Sequence, residues 1–146
     1  MRTPIFFSLA ILLLLSSSAI SPSAKPVQKV VTAGQVNGTW RWQRNTFKVL
    51  ALGKQKLRLE FQGTYEYKSP AGKMANTGTA SGTVTIEGDT AFFKPSDADE
   101  QCKISLRFTR GKLLVTQEGV CGFGNNVTAA GTYRKINRNK PKFDKE

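Results

Sequence analysis

The sequence predicts an all-β protein: a single antiparallel up-and-down β-barrel of about eight strands, with a two-sheet β-sandwich as the alternative. Three observations point there. From Gln35 onward, apolar and polar residues repeatedly alternate with a period of two, which gives a strand one dry face and one wet face. Short, glycine-containing turns separate the alternating runs and favour antiparallel pairing between neighbours in sequence. No run repeats its apolar residues at the 3.6-residue spacing of an amphipathic helix.

Candidate strands fall at 35–43, 46–52, 56–67, 77–87, 89–94, 101–108, 112–118 and 127–136. The third shows the alternation most clearly. Leu57, Leu59, Phe61, Gly63, Tyr65 and Tyr67 point one way, and Arg58, Glu60, Gln62, Thr64, Glu66 and Lys68 the other. Gly63 inside that run marks a bend or bulge. Cys102, Ile104, Leu106 and Phe108 alternate with Lys103, Ser105, Arg107 and Thr109, and Val127, Ala129, Gly131 and Tyr133 alternate with polar or small residues. Gly53, Gly88 and Gly111 supply permissive backbone for turns. The longest interruption, 69–76, is expected to be a loop at one rim. Eight strands is the number at which a meander closes into a small barrel without free edges.

Arg2, an apolar run over 5–15 and small residues over 16–24 have the order of a secretory leader, with cuts after Ala19, Ser21 or Ala24. The apolar run is short for a membrane span, so residues 1–24 are expected to be removed and the product to be secreted or periplasmic, with no membrane span. The mature chain would then hold a flexible N-terminal segment at 25–34, the barrel domain at 35–136 and a basic flexible tail at 137–146. In an oxidising compartment Cys102 and Cys121 are expected to form a disulfide that staples one hairpin. The loop it closes is of a size for which chain entropy gives roughly 3 kcal/mol. Asn37 and Asn126 each begin an Asn-x-Thr acceptor for glycosylation, relevant in a eukaryotic secretory path.

Gly38-Thr39-Trp40, followed by Thr46-Phe47-Lys48-Val49 and Gly63-Thr64-Tyr65-Glu66, resembles the opening hairpins of avidin-type barrels. The Gly-x-Trp element is also similar to the first strand of lipocalins. The resemblance spans 38–66 and implies a fold. Avidin-type proteins close over biotin with later tryptophans; no tryptophan follows Trp42 here, so biotin binding is not implied. The second half, from Cys102 to Tyr133, is similar to small exported bacterial proteins of unassigned role, which implies a compartment and no chemistry.

Lys and Arg number 22 against 10 Asp and Glu, with no His, for a net charge of +12. Histidine acid–base catalysis and His-ligated metals are thereby excluded, and a chain of 146 residues leaves no room for a separate catalytic module. With both cysteines bridged, no thiol nucleophile remains, and a Ser or Thr nucleophile lacks a histidine base. The chain is therefore expected not to be an enzyme and to use no cofactor and no metal. Asp97, Asp99 and Glu100 form the densest acidic set. On one loop they do not face each other across a substrate as glycosidase acids do, and they lack the remaining ligands and turn glycine of a calcium loop. The glycines and amides of 121–126 have the composition of an anion cradle, but no Gly-Lys-Ser/Thr ending or helix follows; a tight turn after the disulfide is the expectation.

Two signals bear on binding. Trp40, Trp42, Phe61, Tyr65, Tyr67, Phe108 and Tyr133 are predicted to point inward, opposite the small face of Gly78, Ala80, Gly82 and Val84. Large and small residues either interdigitate or leave a cavity; in the second case Trp40, Trp42, Tyr65, Tyr67 and Tyr133 would line a site for a small apolar ligand. Positive charge is the second signal. Arg41, Lys48, Lys54, Lys56, Arg58, Lys103, Arg107, Arg110, Lys112, Arg134 and Lys135 fall mostly at turns or on the outer face. Among them Arg58, Lys103, Arg107, Arg110, Lys112, Arg134 and Lys135 are the candidates for anion binding. Such a surface attracts polyanions, although charge alone also serves solubility. Nucleic acid ranks below envelope polymers, since no nucleic-acid-binding motif is present. The functional expectation is an exported, non-catalytic binding protein for an anionic envelope component or a small apolar ligand. The alternative is a secreted inhibitor of the lysozyme-inhibitor kind, which like charge disfavours because lysozymes are commonly cationic.

Overall fold

The computed structural model describes residues 30–143. The leader expected over 1–24 with its cut sites, residues 25–29 of the segment 25–34, and residues 144–146 lie outside the described residues. A single helical turn, α1 (Ala33–Val36), precedes eight strands: β1 (Gly38–Trp42), β2 (Asn45–Gly53), β3 (Lys56–Ser69), β4 (Gly72–Glu87), β5 (Thr90–Phe93), β6 (Lys103–Thr109), β7 (Lys112–Glu118) and β8 (Gly131–Asn137). Each strand pairs antiparallel with the next, and β8 pairs back onto β1. The barrel is closed, which decides against the sandwich.

The alternation places the core as expected. Trp40, Phe47, Val49, Leu57, Leu59, Phe61, Ile104, Leu106, Phe108, Leu113 and Tyr133 are buried inside, with Phe47 tilted against Phe61 and edge-on to Tyr133. The small residues receive rings. A Cβ on Gly78 would lie 2.8 Å from Phe123, one on Gly82 3.1 Å from Phe93, and one on Gly131 2.4 Å from Trp42. Of the two accounts of the small face, interdigitation is what the structure contains. Phe123, which the strand pattern did not single out, enters from the loop after β7 and packs on Phe61 at 4.8 Å.

Three expectations are corrected. The segment 69–76 is not a loop: β3 and β4 remain paired out to Ser69↔Gly72, so only Pro70 and Ala71 turn. Pairing with the Tyr-bearing end of β3 holds 72–76, which read as loop by propensity, in an extended strand. Because β2 pairs with β3 only as far as Thr46↔Gln62, this hairpin overhangs the barrel. Tyr65 and Tyr67 lie on the overhang and are not core residues; they are 41% and 38% exposed. Gly53 does supply left-handed backbone at the β2–β3 connection (φ 86°), and Lys54 (φ 48°) and Gln55 (φ 59°) after it complete the turn. Finally, β8 begins at Gly131, and 127–130 instead close over the barrel end.

The other end of the barrel is covered by α1. Trp40 Nε1 donates to the carbonyl of Val36 at 3.0 Å, and Val36 is itself buried. At the far terminus, the Arg58 guanidinium lies 4.6 Å from the centre of the Phe143 ring, which brings the described part of the tail against β3.

Candidate functional site

The rim that carries the β1–β2 turn, the overhanging hairpin and the loops before β6 and after β7 is held by a few polar contacts. Buried Asn45 donates through Nδ2 to the Thr128 carbonyl (2.8 Å) and accepts at Oδ1 from the Thr64 amide (3.1 Å). One side chain thus ties β2 to both β3 and the last loop. Ala129 donates to Gln117 Oε1 at 2.8 Å. Cys102 and Cys121 are bridged, with Cα atoms 5.0 Å apart, at the open end of the β6–β7 hairpin beside the Lys103↔Glu118 pair. This pins the loop over 119–130. Its glycines do not leave an anion cradle free: the Gly124 amide donates to Thr77 (3.1 Å) and the Val127 amide to Gly124 (2.9 Å).

The candidate cations divide into two groups. Lys135 is engaged within the fold, with Nζ donating to the carbonyls of Gly34 (3.1 Å) and Gln35 (2.7 Å) and lying 4.6 Å from the Trp40 ring centre. Burial, and then the nearby Arg138, lower its pKa. Arg107 donates through Nε to Asp89 Oδ2 at 3.3 Å. The carboxyl of Asp89 is held below the usual range first by the Thr90 hydroxyl, then by Arg107, against partial desolvation. Lys103 lies 4.7 Å from the Phe92 ring centre, and Arg58 faces Phe143. Arg110 is exposed in the β6–β7 turn. Among the anionic sites a basic surface would compete with, Glu60 is only 7% exposed and forms an ion pair with Lys48, its cross-strand neighbour.

Arg134 and Lys112 are brought together, and Arg41 joins them. In register, Arg41 stands opposite Arg134 across β1–β8, and Arg134 opposite Lys112 across β8–β7. All three side chains are exposed, and none forms an ion pair among the described residues. Cross-strand neighbours sit roughly 5 Å apart at Cα, so the outer face carries a row of three positive charges running across the strands. No protein-family model, no curated protein and no solved structure matches the chain. The closed eight-stranded barrel accords with the likeness to avidin-type and lipocalin barrels as a matter of fold.

The candidate aromatics also separate. Trp40 and Tyr133 are fully buried, and Trp42 is half-buried against Tyr133 at 6.1 Å. The Tyr133 hydroxyl donates to the Ala129 carbonyl at 2.8 Å, so these rings build the core. Tyr65 and Tyr67 instead face a surface groove of about 310 Å³ that also touches Asn76, Asn125 and Asn126. The acids Asp97, Asp99 and Glu100 are exposed on the connection between β5 and β6. Asp97 borders a groove of about 370 Å³ shared with Arg58, Glu60, Gln62 and Ser81, where opposite charges are mixed. Among the described residues no three His, Cys, Asp or Glu side chains converge as metal ligands would.

Proposed function

We propose that this protein is an exported, non-catalytic binding protein that engages an anionic envelope polymer through its outer face. The observation that carries the reading is the row formed by Arg41, Arg134 and Lys112 across three adjacent strands. Like charges placed opposite one another on a sheet repel and lower stability; a polymer of negative charge laid across them turns that repulsion into attraction. Filling of the small strand face by Phe123 and Phe93 favours this reading over a small apolar ligand held inside the barrel. Export rests on the order of charge, apolar run and small residues at 1–24 and accords with a bridged cysteine pair. No helix among the described residues is long and apolar enough to cross a membrane.

Retention on immobilised dextran sulfate tests the proposal. The purified protein should be retained and released by rising salt. R41Q/K112Q/R134Q should lose about tenfold in affinity, close to 1.4 kcal/mol, while K54Q/K68Q/K73Q, which removes equal charge elsewhere, should lose no more than about twofold. Equal loss in both variants would assign binding to net charge and remove the row from the account. Absence of salt-sensitive retention by the unaltered protein would end the proposal.

A further inference from the structure

The overhang of the β3–β4 hairpin creates a surface whose chemistry differs from the cation row. Tyr65 and Tyr67 occur at alternate positions of β3 and share one face, their rings inclined by 22° with centres 6.3 Å apart. They form an extended apolar platform beyond the last β2–β3 pair, and each keeps more than a third of its surface open to water. The opposite side of the groove supplies amides. Asn76 is the cross-strand partner of Tyr65, and Asn125 and Asn126 come from the loop pinned by the disulfide. That loop is seated on the hairpin itself: Asn76 Nδ2 donates to the Asn125 carbonyl at 2.7 Å, and the Gly124 amide donates to Thr77. Asn126 has a φ of 62°, a left-handed conformation that asparagine tolerates better than most residues.

No charged side chain lines the groove. A ligand suited to it has a flat apolar face to lie on the tyrosines and an edge of groups that both donate and accept hydrogen bonds, to match the two-sided chemistry of asparagine amides and tyrosine hydroxyls. A pyranose ring has this combination, with axial C–H groups on its face and hydroxyls around its edge. A nucleotide would bring a phosphate for which the groove offers no cation, and a proline-rich peptide would offer the amides mainly carbonyl acceptors. At about 310 Å³ the groove is at the small end for ligand sites and admits about one or two sugar rings. We infer that Tyr65, Tyr67, Asn76, Asn125 and Asn126 form a binding site for the neutral sugar rings of a glycan, separate from the cation row.

The test is titration of the ¹⁵N-labelled protein in 0.5 M salt with cellohexaose, chitohexaose and maltohexaose. High salt screens the cation row, so failure here is distinguishable from failure on dextran sulfate. At least one of these sugars is expected to shift the amide resonances of residues 65–67, 76 and 125–126. Y65S/Y67S should weaken that sugar by about tenfold or more and leave dextran sulfate retention unchanged. N126G, which removes the amide side chain but keeps the left-handed backbone accessible, should weaken it while the spectrum of the folded barrel persists. The inference is overturned if none of the three sugars shifts these residues. It is equally overturned if the shifts survive in Y65S/Y67S, or if a proline-rich peptide occupies the groove where the sugars do not.

Discussion

Tyr133 shows how much of one residue's role is legible in sequence. Its period-two position marks it as inward-facing, and it is buried; that its hydroxyl donates to the Ala129 carbonyl is not legible, because only folding of the last loop brings Ala129 there. Burial pushes the phenol's pKa above its ordinary 10.0, because ionisation inside the barrel has no solvent to support it. The folded state therefore holds the Tyr133 proton more tightly than the unfolded chain. Stability is unaffected by this group below pH 10.0 and falls as pH rises past that value. Tyr133→Phe should cost about 1 kcal/mol at neutral pH for the lost hydrogen bond and should flatten the alkaline decline in a series of urea titrations. An unchanged slope above pH 10.0 would show that another group controls it. Asn45 was not legible in this way: nothing in its neighbourhood in sequence reveals that its amide spans β2, β3 and the final loop.

The strands were readable because each carries its own pattern, and their ends were not, because ends are set by partners. The expectation for β3 stopped near Tyr67 and for β4 began at Thr77, yet the two strands run on together to Ser69 and Gly72. The extra length belongs to neither segment alone. It produces the overhang, and with it the exposure of Tyr65 and Tyr67 that local alternation assigned to the core. The β2–β3 turn makes a similar point in energetic terms. Lys54 and Gln55 both occupy left-handed backbone, as a tight two-residue hairpin turn requires, and neither is the glycine or asparagine such turns prefer. Gln55→Gly should raise unfolding free energy by about 0.5–1 kcal/mol in urea titration, relief of backbone strain outweighing the entropy cost of glycine. A loss of stability would mean that the Gln55 side chain contributes more than its backbone costs.

Closure joins β8 to β1 and leaves the molecule held at one end by α1 and at the other by the disulfide-tied loop. Cys102 and Cys121 lie 19 residues apart in sequence, so removing the bridge frees a loop of moderate size in the unfolded chain. C102A/C121A should lose about 3 kcal/mol, seen as a lower urea midpoint that added reductant no longer shifts. A variant as stable as the oxidised protein would show that the hydrogen bonds of Asn45, Gly124 and Ala129 suffice to seat the loop. Closure also redistributes charge. Arg41 and Arg134 are far apart in sequence and become neighbours only because the last strand returns to the first. Arg107 and Lys135, equally basic as letters, meet Asp89 and the α1 carbonyls instead.

Alternation, turn residues and the cysteine pair specify the number of strands, the identity of most core residues and the position of the bridge, since each follows from short-range chemistry that a strand satisfies wherever it lies. The register around the ring, the reach of the β3–β4 hairpin past its neighbours, and the sorting of cations into engaged and open groups arise from contacts between residues distant in the chain. Those contacts exist only once hydrogen bonding has closed the sheet on itself. For that reason the barrel could be read from the letters, while the row at Arg41, Arg134 and Lys112 and the tyrosine groove had to be found in three dimensions.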